Sequence, residues 1–319
     1  MQIGMITDSL PDTDFDGMLA IAARLGMERL EFGCGNWSSA PHLKLDVMLE
    51  SEAARREFRA RLADHAIEIS ALNCSGNPVH PGETGRQHDA VTRKTIRLAG
   101  LLGVDRVVMM SGCPGAPGDA HANWITTEWP PEVREILRWQ WDEVLIPYWR
   151  DLVSYARSQG VDRLCLELHG HQNVYNVATL RRLRDAAGDT VGANLDPSHL
   201  MWMGADPIAA ARALDGAIYY VHAKDTRIDR TIAGVNGVID TTPGSAYQSR
   251  AWNYITLGYG HDEAWWRRFV EALAAVGYDG VLSIEHEDPA MSAVEGVEKS
   301  VALLRRVLGP KGDSPAAAA

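Results

Sequence analysis

The feature that most constrains this chain is its rhythm. Eight short β-branched or apolar runs alternate with longer stretches in which apolar residues recur every three or four positions. The runs are 2–7 (QIGMIT), 29–33 (RLEFG), 68–74 (EISALNC), 106–111 (RVVMMS), 163–169 (RLCLELH), 191–196 (VGANLD), 218–224 (IYYVHAK) and 280–286 (GVLSIEH). The patterns between them, among them 14–26, 89–103, 176–188, 206–216, 262–277 and 293–309, read as one-sided helices. Several stop at glycine (Gly26, Gly103, Gly160, Gly277), which ends a helix by taking the left-handed conformation. Eight strands, each followed by a helix, is the count of a (β/α)8 barrel. A doubly wound open sheet has about six strands and a glycine-rich first turn; here the first turn is TDSLPDTD, without GxGxxG. The expected fold is therefore α/β: a single TIM barrel over residues 1–309 with long lid loops at its C-terminal face. A flexible tail is expected over 310–319, where PKGDSPAAAA has little to bury.

Two connections are long, from Gly112 to Pro131 and from Thr226 to Gly260. Both leave the C-terminal end of a strand, the face on which barrels build their sites. Composition narrows the partners. With 46% hydrophobic and 23% charged residues, the chain has an ordinary core-forming balance. Its net charge of −11, without a basic run, argues against nucleic acid. Cys34, Cys74, Cys113 and Cys165 are scattered, with no CxxC pair, so a disulfide framework or zinc finger is not expected. The first residues run straight into a strand without a signal-peptide pattern, and no apolar run nears the roughly 20 residues of a membrane span. A cytoplasmic protein without membrane attachment is expected.

Four successive strand ends carry groups of metal-ligand type. The fifth offers Glu167 and His169 on one side of the strand, and the sixth offers Asp196 and, one turn on, His199. The seventh offers His222, Lys224, Asp225 and Arg227; the eighth offers Glu285 and Glu287 on one side and His286 on the other. Singly, each has a plain structural use: a glutamate pairs with arginine, an aspartate caps a helix, a histidine fills a core. Together, on one rim of a barrel, they suit one hard or borderline divalent ion such as Mn²⁺, Mg²⁺, Co²⁺ or Zn²⁺. Packed carboxylates without a cation would repel one another.

The run ANLDPSHLMWMGADPIAAARALDGAIYYVHAKDTR, with CLELHGH before it and YDGVLSIEHEDP after it, resembles the sugar phosphate isomerase/epimerase-like family of xylose isomerase-like TIM barrels, over nearly the whole chain. The resemblance implies one divalent metal, Mn²⁺ foremost, held by Glu167, Asp196, His222 and Glu285, with the two glutamates also moving a substrate proton. The same family includes an endonuclease IV branch, but the extra histidines of that branch are missing: the second strand ends in Glu31 and the third in Asn73 and Cys74. The segments ANWITTEWPP and RAWNYITLGYGHD resemble a subgroup acting on keto-glycosides or keto-inositols. That subgroup includes epimerases, inosose dehydratases and C-glycoside deglycosidases, the last with a small β-subunit. A homo-oligomer acting on a small sugar or glycoside is expected.

In this chemistry a base removes the proton beside a carbonyl; the candidates are Glu167, Glu285, His169 and His199. Returning the proton gives epimerisation or isomerisation, whereas expelling a β-substituent gives a lyase. A scaffold with a purely structural metal is the non-catalytic alternative, disfavoured because structural sites are closed and thiolate-rich. Lys224, Arg227, His261 and Arg250 are the candidate groups for substrate oxygens. Trp124, with Trp129, Trp252 and Tyr254, either stacks on a sugar face or packs the long loops onto the barrel or a subunit interface. Lacking a cradle of backbone amides for phosphate, the chain is expected to take an unphosphorylated sugar.

Overall fold

The computed structural model describes residues 1–309; the tail expected at 310–319 lies outside the described residues. In chain order the strands are β1 (Gln2–Ile6), β2 (Arg29–Gly33), β3 (Glu68–Asn73), β4 (Arg106–Met109), β5 (Arg163–Glu167), β6 (Val191–Asn194) and β7 (Ile218–Ala223), then β8 (Asp225–Ile228), β9 (Trp252–Ile255) and β10 (Val281–Ile284). Eight of them close into a parallel barrel in the order β1-β10-β7-β6-β5-β4-β3-β2. The barrel shuts because β1 pairs with both β2 and β10, with Ile6 opposite Glu31 and Met5 opposite Ile284. All eight expected strands are present, and all but β2 end one or two residues earlier than the sequence pattern suggests. Asp196 and Glu285 therefore stand just beyond β6 and β10 rather than inside them.

The helices are α1 (Phe15–Arg24), α2 (Leu45–Glu50), α3 (Glu52–Ala63), α4 (Glu83–Leu102), α5 (Glu132–Trp139), α6 (Ile146–Ser158) and α7 (Val177–Ala187). They continue with α8 (Pro197–Trp202), α9 (Pro207–Ala213), α10 (Arg230–Asn236), α11 (Glu263–Ala275) and α12 (Ala293–Leu308). Side-chain caps start many of them, for example Asp14 accepting from the Gly17 amide and Asp262 from the Trp265 amide. The four expected stop glycines all have positive φ, between 58° and 78°. The apolar stripes of α1, α4, α11 and α12 lie against the outer wall, burying Met18, Ile96, Phe269 and Leu304. All four cysteines are buried and free.

The two long connections have structure that the sequence pattern does not announce. Residues 112–131 are irregular and held from beneath by Gln140, whose Nε2 donates to the carbonyls of Pro114, Gly115 and Asn123. Gln140 begins a π-helical turn, Gln140–Leu145, that joins α5 to α6. The connection 226–260 is an antiparallel ribbon of β8 and β9 with α10 at its tip. Among the described residues no helix is long and apolar enough to cross a membrane.

Candidate metal centre

The C-terminal ends of β5, β6, β7 and β10 are neighbours in the barrel, and the side chains they carry meet. Glu167, Asp196, His222 and Glu285 each bring one ligand atom to within 4.8 Å of the others. His222 lies at the centre of the group. Its Nδ1 is 2.9 Å from Glu167 Oε1 and 3.1 Å from Glu285 Oε2. On the other side its Nε2 lies 3.1 and 3.0 Å from the two oxygens of Glu31. Glu31 is fully buried and also receives Asn73 Nδ2 and Ser283 Oγ, each at 2.8 Å. Glu31 accepts from Nε2–H, and against burial the charges of Glu31 and Glu285 hold the imidazole well above its usual range; an ion bound at Nδ1 would displace the proton that this nitrogen shares with Glu167. Glu31 was read from the sequence only as the end of the second strand; its one signal is an acidic residue between Leu30 and Phe32 in a short buried strand.

The charge balance of the group suits a cation. Burial would raise the Glu167 carboxyl, but the imidazoles of His199 and His222 outweigh it and hold the group well below the usual range. Asp196 is likewise opposed by burial and held at about 2 by Lys224 and His199. Glu285 is lowered by Lys224 and His222, again against burial. Asp196 accepts the Ser198 amide through Oδ1, capping α8, while its buried Oδ2 is held by charge, 3.2 Å from both Lys224 Nζ and His199 Nε2. Three ionised carboxylates and one imidazole nitrogen facing them fit a divalent cation. A bound ion would replace the repulsion between the carboxylates with attraction.

The remaining predicted residues divide into two sets. Lys224 belongs to the centre: its buried Nζ reaches Glu285 at 2.7 Å and both Asp196 and Glu287 at 3.2 Å, and it lies 4.6 Å from the Tyr254 ring centroid. His199 Nε2 is 3.2 Å from Asp196 Oδ2, and its Nδ1 is 2.8 Å from Tyr254 Oη. Despite burial, the charge of Asp196 lifts His199 to about 9. His169 packs against it with ring centroids 4.0 Å apart, and burial lowers His169 to about 3. Trp124 stands beside this pair. It packs on His171 and Tyr175 and approaches Trp202 over Gly170, where any β-carbon would strike the Trp202 ring.

The structure does not bring Arg227, Arg250 and His261 to the cluster. Arg227 is exposed on β8. Arg250 lies over Trp252, 4.6 Å from its centroid, and Trp252 stacks on Trp202 at 4.7 Å and 3°. His261 Nδ1 binds Asp225 at 2.8 Å. Asp225 also takes the amides of Thr226, Gly258, Gly260 and His261, so these two residues fasten the returning end of the ribbon. Of the loop aromatics, Trp252 and Tyr254 pack the ribbon onto the barrel, and Trp129 is exposed.

Comparison with known proteins agrees with this architecture. The chain is similar to the uncharacterized protein YfiH of Bacillus subtilis (strain 168), with 49% identity over 311 residues, covering 97% of this chain and 99% of that one. Among solved structures it is similar to the probable 3-DHS dehydratase AsbF of Bacillus anthracis (17% identity, TM-score 0.66, 95% and 98% of the two chains). It is also similar to the IOLI protein with a bound zinc atom (17%, 0.65, 97% and 98%) and to an L-ribulose 3-epimerase (17%, 0.63, 96% and 94%). At these identities the structural likenesses speak for the fold. Residues 19–307, nearly the entire barrel just described, match one family directly: the chain belongs to the xylose isomerase-like TIM barrel family.

Proposed function

We propose that this protein is a divalent-metal-dependent isomerase or epimerase that enolises a keto-sugar or a 3-keto-glycoside. The observation that carries the reading is the pair of carboxylates on one ligand atom. Glu167 Oε1 and Glu285 Oε2 both lie within 3.1 Å of His222 Nδ1, so a substrate held at this point is within reach of two bases. Inversion at a carbon needs a group to take the proton on one face and another to return it on the other. A divalent ion held by Glu167, Asp196, His222 and Glu285, with Mn²⁺ the first candidate, would supply electrophilic stabilisation of the enolate oxygen. Glu167 and Glu285 are kept ionised and so free to accept a proton; Lys224, shared by Asp196, Glu285 and Glu287, holds the carboxylates together.

A β-eliminating lyase begins with the same proton removal, so one experiment addresses both. The metal-loaded protein is incubated in D₂O with ketohexoses and methyl 3-keto-glucoside. Deuterium should enter at the carbon beside the ketone, with an epimer or isomer as product, and a released β-substituent instead would assign the lyase. Glu167→Gln and Glu285→Gln should each slow exchange by roughly 10²- to 10⁴-fold with the circular-dichroism spectrum unchanged. No exchange with any of these compounds would sink the enolising reading.

A further inference from the structure

The buried and half-buried carboxylates of this protein fall into two kinds. Those with a structural task are saturated: Asp225 gathers four backbone amides and the His261 ring, and Asp288 takes the Thr256 amide and hydroxyl and the Ala290 amide. Asp8 is different. It follows β1 at the mouth of the barrel, where β1 lies between β10, which leads to Glu285, and β2, which carries Glu31. Its Oδ1 receives the Ser38 hydroxyl, and its buried Oδ2 has no hydrogen-bond partner among the described residues. A carboxylate has about four acceptor positions, and one donor leaves most of them open.

The surroundings keep this carboxylate in place. A β-carbon at Gly33 would collide with both Ser38 Oγ and Asp8 Oδ2, so the neighbouring strand end is cut back to make room. Ser38 is itself fixed by accepting the Ala40 amide at 2.9 Å. Beside Asp8, Ser9 Oγ receives the His286 amide at 3.0 Å and so ties this turn to the segment bearing Glu285. Burial pushes the Asp8 carboxyl up by more than the Ser38 hydrogen bond takes back, and the charges of Glu31 and Glu285 add to the rise. A costly, under-bonded acceptor next to a reaction centre is matched by a ligand donor.

We propose that Asp8 determines substrate specificity: it accepts a hydroxyl of a neutral polyhydroxy ketone seated on the Glu167–Asp196–His222–Glu285 centre and turns away phosphorylated analogues. This rests on the function proposed above and sharpens its substrate class. Lys224, the buried ammonium of the cluster, is already shared by Asp196, Glu285 and Glu287, so a phosphate dianion beside Asp8 would meet its charge without help from Lys224.

The test is binding rather than turnover. Isothermal titration of the metal-loaded full chain uses D-fructose, D-tagatose and methyl 3-keto-glucoside, together with the 6-phosphates of the two ketoses. Wild type should bind at least one neutral compound and prefer it to any phosphate. Asp8→Ala should weaken that binding roughly 10- to 100-fold. Asp8→Asn, which keeps the shape, should lose less and narrow the preference against phosphate. Equal binding by all three proteins would overturn the proposal, as would tighter binding of a phosphate by wild type or binding of none of these compounds. Deuterium exchange measured on the same samples separates the two readings. Binding without exchange removes the enolising function and leaves the Asp8 result standing, whereas exchange with unchanged affinity in Asp8→Ala removes only the role of Asp8.

Discussion

Behind the four donor residues stands Glu31, and it shows which part of the site a sequence displays and which it hides. Glu167, Asp196, His222 and Glu285 were legible because each breaks an apolar run at a strand end, and a barrel brings consecutive strand ends together. Glu31 breaks a run in the same way, but its partner His222 is 191 residues distant and reached across the barrel interior. Nothing local distinguishes such a glutamate from one that pairs with an arginine. Asp8 is hidden for the same reason: it lies in a turn whose composition suggests only a helix cap. The pairing of Glu31 with His222 makes a specific prediction. Glu31→Gln keeps the volume and the contacts to Asn73 and Ser283 but removes the charge that fixes the imidazole. Metal affinity should fall by roughly 10- to 100-fold while the thermal stability of the metal-free protein changes little. Competition with a chromogenic chelator measures this, and an affinity equal to that of wild type would mean that Glu31 does not orient the ligand.

At the scale of elements, sequence periodicity located the barrel strands and the amphipathic helices, because burial on one face writes a period of 3.6 directly into the chain. It left 226–260 as a loop. β8 and β9 pair with each other outside the barrel, and alternation over four residues each is too short to stand out against the polar, glycine-containing segment around it. The same segment holds its root by a buried charge rather than by apolar contacts. Asp225 draws the amides of Gly258, Gly260 and His261 onto one oxygen, at 3.0 to 3.2 Å. Asp225→Asn would turn an amide group toward some of these N–H donors and leave them unsatisfied in the interior. The expected cost is about 2–4 kcal/mol. Hydrogen exchange at 256–261 should accelerate well beyond that at β4 or β5. Unchanged protection there would show that the ribbon is held by its aromatic contacts, Trp252 on Trp202 and Tyr254 on His199, and not by Asp225.

For the whole molecule, the candidate metal centre joins strands that are far apart in the chain. β5 and β10 begin 118 residues apart, at Arg163 and Val281, and their glutamates converge on one imidazole from β7. A divalent ion seated there cross-links the C-terminal ends of β5, β6, β7 and β10, and it binds only the folded arrangement, because the unfolded chain scatters the four donors. Binding free energy is then added to folding free energy. At a free ion concentration 100-fold above the dissociation constant, the gain is about 2.7 kcal/mol. With an unfolding entropy of about 2.1 cal/mol/K per residue, this raises the unfolding temperature of a chain this size by roughly 4 °C. Differential scanning fluorimetry with Mn²⁺, Mg²⁺, Co²⁺ or Zn²⁺ added to chelator-treated protein should show that rise, reversed by excess EDTA. The shift should be smaller in Glu31→Gln at the same ion concentration and absent in Asp196→Ala. A protein whose unfolding temperature ignores all four ions, or in which Asp196→Ala shifts as far as wild type, does not hold its metal at this cluster.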